Sequence, residues 1–132
     1  MKFFSINSYK LGCNLKKKLS NKAFAILCKN RYNNWKKSTI KNEGYFIIFN
    51  TFMEDGYLRR LSGGATKLYM YLGIVSKNNT GESFHSVESM SKYFGVSERT
   101  ILTWLKELET EKLISRMQFE LNGVAHTFLQ PY

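Results

Sequence analysis

The feature that most constrains the fold is a break, at residues 95–97, between two apolar patterns of helical spacing. The first pattern consists of Val87, Met90 and Phe94. Serine is favoured at the start of a helix and glycine just past its end, so Ser86 and Gly95 predict where this helix begins and stops. Ser97 can cap a further helix that begins at the next residue. The break therefore predicts two helices that meet at a sharp turn.

The second of these helices, predicted over 98–112, has two chemically different sides. When residues are placed at about 100° intervals, one side is apolar and supplies the core. That side holds Ile101, Trp104, Leu105 and Leu108. The opposite side is polar and partly cationic, with Leu102 at its edge. It holds Arg99, Thr103, Lys106 and Thr110. The pair is therefore interpreted as a helix-turn-helix whose second helix presents a polar side outward.

The residues before the break predict a strand and a further helix. Residues 45–52 are rich in β-forming side chains and are interpreted as a buried strand, followed by a turn at 53–56. Apolar residues then recur at three- and four-residue steps behind Ser62, which predicts a capped helix over 63–76. Residues 77–83 have the composition of a loop.

The residues after the second helix predict a β-hairpin. Residues 113–121 and 124–130 have strand composition, and the Asn122–Gly123 pair between them is a strong signal for a hairpin turn. Pro131 ends the last strand. The predicted order over residues 45–132 is thus a strand, three helices and a hairpin. This is an α+β winged helix-turn-helix with Asn122 at the tip of the wing.

The positive charge of the chain is confined to its first third. Residues 1–44 contain eleven Lys and Arg residues and one acid, whereas residues 45–132 contain nine basic and nine acidic residues. The net charge of +10 therefore belongs entirely to the first segment. A basic balance of this size favours nucleic acid, an anionic membrane surface or an acidic partner.

Residues 1–44 are predicted to form a basic, partly helical extension. Ser20 is a candidate helix cap, and apolar residues follow it at helical spacing. The candidate phosphate contacts are Lys16, Lys17, Lys18, Lys22, Lys29, Lys36 and Lys37. Tyr32 and Trp35 lie among these cations and are candidates for stacking on unpaired bases. The segregation of charge favours contact with nucleic acid over a merely solvated face.

A resemblance extends over about residues 45–130. The motif G-V-S-E-R-T-I, followed by L-K-E-L-E-T-E-K-L-I, resembles bacterial winged helix-turn-helix domains found in plasmid and phage replication initiators and in small regulators of mobile elements. The resemblance implies DNA binding through the second helix of the motif. Leu102 and Trp104 make that helix less polar than is common in the family. The resemblance does not extend to residues 1–44.

The candidate DNA contacts of the winged helix are Ser97, Arg99, Thr100, Thr103, Lys106 and Asn122. Ser97 is first of all a helix cap, although the free N–H groups at a helix start also suit phosphate. Arg99 can reach a guanine edge or a phosphate. His85 and His126 lack neighbours at ligand spacing and are interpreted as ordinary residues of the fold.

The sequence contains no catalytic or cofactor-binding motif. It lacks the phosphate-binding pattern G-x-x-x-x-G-K-[ST] and a nucleophile with an evident base, so we expect neither an enzyme, a cofactor nor a metal site. Cys13 and Cys28 form neither a zinc pattern nor a disulfide framework, which fits a reducing cytoplasm. No run approaches the roughly 18 apolar residues of a membrane span.

The expected function is DNA binding, duplex in preference to single-stranded, by a small accessory protein of a bacterial mobile element. The process served is replication or transcriptional control. One alternative is a protein-interaction module in which Leu102 and Trp104 dock on a replication or transfer enzyme. Another is binding of single strands through Tyr32 and Trp35. A homodimer is compatible with all three.

Overall fold

The computed structural model describes residues 18–132. The chain divides into two units, with the boundary between Gly44 and Tyr45. None of the helices within residues 18–132 is long and apolar enough to cross a membrane.

The described part of the first unit is one long helix, α1 (Asn21–Asn42). The Ser20 hydroxyl accepts a hydrogen bond from the Ala23 amide at 3.2 Å, so the predicted cap is confirmed. The apolar residues of α1 are spread around the helix and none of them is buried. Helical spacing after Ser20 therefore predicted the helix, but no apolar face is packed into a core.

The second unit contains five helices and a three-stranded antiparallel sheet. The helices are α2 (Thr51–Glu54), α3 (Tyr57–Arg60), α4 (Gly63–Val75), α5 (Val87–Phe94) and α6 (Glu98–Thr110). The strands are β1 (Glu82–Ser83), β2 (Ile114–Met117) and β3 (His126–Leu129). Both β1 and β2 pair with β3, which lies between them. This α+β arrangement is that of a winged helix, as predicted, with β2 and β3 as the wing.

The core of the second unit lies between α4, α5 and α6 and is closed by the residues that follow α6. Its fully buried side chains include Leu68 and Leu72 of α4, Met90 of α5, and Ile101, Leu105 and Leu108 of α6. Val87, Phe94 and Trp104 pack against this cluster from its margin. The inward sides predicted from helical periodicity are therefore confirmed.

The prediction of a buried strand at 45–52 is wrong. Residues 44–49 have no regular structure, and the predicted turn at 53–56 is partly occupied by α2. Phe52 alone in that run is fully buried, stacked on Tyr69 with ring centroids 5.2 Å apart. A short helix is enough to place one ring in a core, so packing overrides the strand propensity of the run. The Phe49 amide donates to the Tyr132 hydroxyl at 2.9 Å.

The first strand of the sheet instead lies in the segment predicted to be a loop. The Gly81 amide donates to the Lys77 carbonyl at 2.8 Å, and this turn brings Glu82 and Ser83 alongside Phe128 and Thr127. Two residues are too few to produce the alternation by which a strand is recognised. The winged helix therefore has its first strand after α4 and not before it.

The wing strands are shorter than predicted. Residues 118–125 form the loop between them, and Asn122 takes a left-handed backbone with φ of 66°. The Gly123 amide donates to the Glu120 carbonyl at 3.0 Å, so the Asn122–Gly123 pair does make a turn. That turn lies inside a long loop and does not join two strands directly.

Gly64 of α4 lies directly against the Trp104 side chain of α6. A methyl group at this position would overlap the indole of Trp104, whereas a methyl group at the neighbouring Gly63 would meet nothing. Both glycines lie in the first turn of α4, so they share the same helical environment.

We expect Gly64→Ala to destabilise the protein and Gly63→Ala to stabilise it slightly. Overpacking at Gly64 should lower the free energy of unfolding by about 1–3 kcal/mol. Gly63→Ala should raise it by about 0.4–1 kcal/mol, because alanine loses less backbone entropy on folding. Urea denaturation measures both. Equal effects of the two substitutions would contradict the close packing of Trp104 on α4.

Candidate nucleic-acid interface

The turn between α5 and α6 is fixed by backbone geometry and by one side chain. Gly95 has φ of 65° and ends α5, as predicted. The Val96 amide donates to the Ser91 carbonyl at 3.2 Å, and the Ser91 hydroxyl donates to the Val96 carbonyl at 2.6 Å. These two bonds join the end of α5 to the residue that precedes the α6 cap. The direction in which α6 leaves the turn is therefore restrained.

Two of the predicted DNA contacts are engaged with each other at the start of α6. The Ser97 hydroxyl accepts from the Thr100 amide at 3.2 Å, which confirms the predicted cap. The Ser97 and Thr100 hydroxyl oxygens are also 2.9 Å apart and share a hydrogen bond. Thr100 is half-buried. Ser97 and Thr100 therefore shape the helix start, and a side-chain contact with DNA would compete with that bond.

The other predicted contacts on α6 share an exposed side of the helix. Arg99, Thr103 and Lys106 all lie on the solvent side, opposite the buried leucines. The Thr103 hydroxyl donates to the Arg99 carbonyl at 3.0 Å, and its oxygen keeps lone pairs that can accept a hydrogen bond. Its methyl group remains able to contact a thymine methyl. This side, with Thr110 at its far end, is called the α6 outer face below.

Glu107 of α6 and Glu111, which follows the last residue of α6, are held against the body of the domain. The Glu107 carboxylate accepts from the Ser62 amide at 2.6 Å and from the Ser62 hydroxyl at 2.7 Å. The Glu111 carboxylate forms an ion pair with Arg60 at 2.9 Å, and this interaction raises the pKa of the arginine. Both carboxylates are thereby turned toward α3 and α4. The α6 outer face keeps a cationic character that the composition of α6 does not suggest.

Glu107 and Glu111 were not singled out from the sequence. In the sequence they look like ordinary surface acids of an amphipathic helix, and their partners are 45 and 51 residues away. Trp104, in contrast, was expected in the core. It lies half-buried with its ring edge-on to Phe94, at a centroid distance of 5.8 Å.

The wing carries one basic residue and has an apolar tip. Its arginine, Arg116, donates to the Thr127 hydroxyl at 3.1 Å, and burial lowers the pKa of its guanidinium. Asn122 is exposed at the tip, as predicted, but the neighbouring Leu121 is 96% exposed. The ring of Phe119, which is also exposed, lies 4.3 Å from that of His126.

The two histidines have contacts within the fold. His126 Nδ1 lies 2.8 Å from a Glu82 carboxylate oxygen, and this hydrogen bond lowers the pKa of Glu82. His85 packs edge-on against Tyr71. Within the part of the chain that the structure describes, no group of three or more His, Cys, Asp or Glu residues is arranged to hold a metal ion.

The cations of α1 lie on the helix surface. Lys22, Lys29 and Lys36 are seven residues apart, which places them on one line along the helix, and all three are exposed. Lys18 and Lys37 are exposed as well, whereas Lys16 and Lys17 lie outside the described residues.

The two aromatic candidates of α1 contact each other. The rings of Tyr32 and Trp35 have centroids 5.7 Å apart at an angle of 49°, and the Lys36 ammonium lies 6.0 Å from the Tyr32 ring. Both rings remain more than half exposed. The pair thus forms a small exposed aromatic surface near the line of Lys22, Lys29 and Lys36.

The comparison with known families supports this geometry. Residues 59–114 match the model of a family described as a helix-turn-helix domain. The match begins in α3, includes α4, α5 and α6, and ends at the first residue of β2. Residues 59–114 form a helix-turn-helix domain. No curated protein and no solved structure matches the chain.

We expect Glu107→Ala to destabilise the helix-turn-helix domain by about 1–2 kcal/mol, because a charged acceptor of two hydrogen bonds is lost. Glu109→Ala is the matched control, since Glu109 is an exposed acid of the same helix. It should change stability by less than about 0.5 kcal/mol. Thermal denaturation measures both. If the two variants melt alike, the contact between Glu107 and Ser62 contributes nothing to the fold.

Proposed function

We propose that this protein binds duplex DNA, with α6 in the major groove, and that it is not an enzyme. The observation that carries the proposal is the α6 outer face. Arg99, Thr103 and Lys106 are exposed there together, while Glu107 and Glu111 are tied to the domain body. The second helix of a helix-turn-helix is the one that enters the groove, usually with its first residues at the base edges.

The positions along α6 assign different roles to the two cations. Arg99 is the second residue of the helix, where a guanidinium can bond the two acceptors of a guanine edge. Lys106 lies seven residues further on, about 10 Å along the axis, where a phosphate is the nearer target. Thr103, between them, offers an acceptor and a methyl group. We infer that Arg99 and Thr103 select the sequence, and that Lys106 positions the helix.

The basic extension supplies the part of the affinity that does not depend on sequence. The winged-helix unit has no net charge, so most of the long-range attraction to the phosphate backbone comes from residues 1–44, and Lys106 adds a local contact. The line of Lys22, Lys29 and Lys36 is suited to this, because ammonium groups on one side of a rigid helix can face phosphates together.

The proposed setting is a bacterial mobile element, in which this cytoplasmic accessory protein acts in replication or in transcriptional control. The support for this setting is the resemblance of residues 45–130 to the winged helices of plasmid and phage initiators and small regulators. A replication or transfer protein is a further expected partner.

Two observations favour the alternatives. Leu102 is half-exposed at the edge of the α6 outer face, and the wing tip is apolar, as a surface that docks on a protein would be. The exposed Tyr32 and Trp35 rings favour single strands, because every base has a face that can stack on them. Binding to duplex and single-stranded oligonucleotides of equal length separates the last alternative from the proposal.

We expect Arg99→Ala to weaken binding to the preferred duplex by about 1–3 kcal/mol and to relax the choice of base at one position. Lys106→Ala should weaken binding to all duplexes about equally. The preferred duplex is first selected from a random pool with the parent protein, and affinities are then measured by fluorescence anisotropy.

Glu98→Gln is the control for these variants, because Glu98 is exposed on α6 but lies off the outer face. It should change affinity only modestly. If Arg99→Ala and Lys106→Ala bind every duplex as the parent does, α6 does not contact DNA, and docking on a protein becomes the better interpretation.

We also expect replacement of Lys22, Lys29 and Lys36 by Gln to flatten the salt dependence of duplex binding. The slope of log affinity against log salt should become less negative by about 0.9 for each phosphate contact removed. The control removes the same number of positive charges from the winged-helix unit, by replacement of Lys77, Lys92 and Lys112 by Gln. An equal change of slope in both triple variants would mean that net charge alone matters and that the α1 line is not a binding surface.

A further inference from the structure

The outer side of α4 is apolar although it faces solvent. A helix that is apolar on all sides is normally buried, and Lys67 is the one charged residue among the thirteen of α4. Lys67, Met70 and Ile74 form the side opposite the core, and Ile74 is 71% exposed. This line is called the α4 ridge. It exposes apolar surface that the packing of the domain leaves uncovered.

Two apolar grooves lie on either side of the α4 ridge. One groove, of about 390 Å³, lies between α4 and α5 and is walled by Tyr71, Tyr93 and Phe94. The other, of about 290 Å³, lies between α4 and residues 48–58 and is walled by Phe52, Met53 and Leu58. Met70 lines both grooves, so its side chain separates them. Lys67 is the one charged lining residue of either groove.

We propose that the α4 ridge and its two grooves are a dimer interface, and that the occupant is a second copy of this chain. A two-fold symmetric interface requires a surface that is complementary to itself. A ridge flanked by grooves has this property, because the ridge of each copy can enter a groove of the other. Apart from Lys67 the surface is uncharged, so most of it can meet itself without electrostatic repulsion.

The register of such a pair follows from helix geometry. If the two α4 helices cross antiparallel with the axis between Met70 and Tyr71, Lys67 of one copy lies level with Ile74 of the second copy. The two ammonium groups are then about 10 Å apart along the axis, at opposite ends of the contact. Each lysine can lay its methylene stem on an isoleucine and keep its charge in water.

The exposed apolar area is of the size that a stable dimer needs. Ile48, Phe49, Met53 and Leu58 are each at least two-fifths exposed on one side of the ridge. Met70, Ile74 and Tyr93 are similarly exposed on the ridge and beyond it. If these seven side chains lose most of their exposed surface on pairing, the contact is of the order of the roughly 800 Å² per partner of a standard interface.

The proposed interface does not obstruct the α6 outer face. No residue of α6 lines either groove. Trp104 and Glu107 contact Gly64 and Ser62 at the start of α4, and the other contacts between α6 and α4 lie in the core, on the side of α4 opposite the ridge. A dimer formed through the α4 ridge therefore leaves both copies of α6 exposed. The inference does not depend on DNA binding, so each can fail separately.

The test is the sedimenting mass of the full chain, measured without DNA, in reductant and at a salt concentration that suppresses charge effects. The parent should sediment at twice the chain mass of 15.4 kDa. Ile74→Lys should sediment at 15.4 kDa, because two ammonium groups would be added to the apolar contact. Leu121→Lys is the matched control, since Leu121 is an exposed leucine on the wing, and it should remain a dimer.

Both substituted positions are exposed, so the variants should fold, and unchanged melting curves verify this. A parent protein that is a monomer at all concentrations would overturn the proposal. A dimer that survives Ile74→Lys, or that Leu121→Lys disrupts equally, would also overturn it, because the contact would then lie elsewhere.

The antiparallel register has a test of its own. In a chain with Cys13→Ser and Cys28→Ser, Met70→Cys places a thiol beside the proposed axis, and mild oxidation should give a covalent dimer. Leu102→Cys, on α6, should stay monomeric under denaturing conditions. A Met70→Cys protein that fails to cross-link while still sedimenting as a dimer would overturn this register.

Discussion

The packing of α6 against the first turn of α4 is the contact on which the rest of the helix-turn-helix unit depends. Gly64 has no side chain, so the Trp104 indole can lie directly on the helix, and Glu107 then reaches Ser62. The Ser62 hydroxyl accepts from the Ala65 amide as well, so one serine both caps α4 and anchors α6. Because α5 is joined to α6 by a restrained turn, this contact also determines where the α6 outer face points.

Local signals predicted α4, α5 and α6 well because each of these helices was specified by residues close in sequence, whereas the short helices α2 and α3 were not predicted. Ser62, Ser86 and Ser97 each accept from the amide three residues later, and Gly95 has the left-handed backbone that ends α5. Helical periodicity likewise identified the buried side of α6. On the α6 outer face, Arg99, Thr103 and Lys106 are exposed together as predicted, although their contact with DNA remains a proposal.

The features that the sequence did not predict share a different cause, because each depends on contacts between residues that are distant in sequence. Residues 45–52 have strand composition, yet Phe52 is fixed by Tyr69 and Tyr132, and no strand forms. β1 exists because β3, more than forty residues later, offers it a partner. The turned-in carboxylates of Glu107 and Glu111 and the apolar ridge of α4 also appear only when distant segments pack. A single sequence carries no direct record of such pairings.

The separation of charge between the two units has a consequence for the kinetics of target search. Electrostatic attraction raises the rate of encounter, whereas short-range contacts mainly determine how long a complex lasts. In the proposed mode, the extension would govern how often the protein meets DNA and where it slides. α6, on a unit without net charge, would mainly determine the sequence at which the protein stays bound. Association and dissociation could then be adjusted independently, by changes in parts of the chain that share no residue.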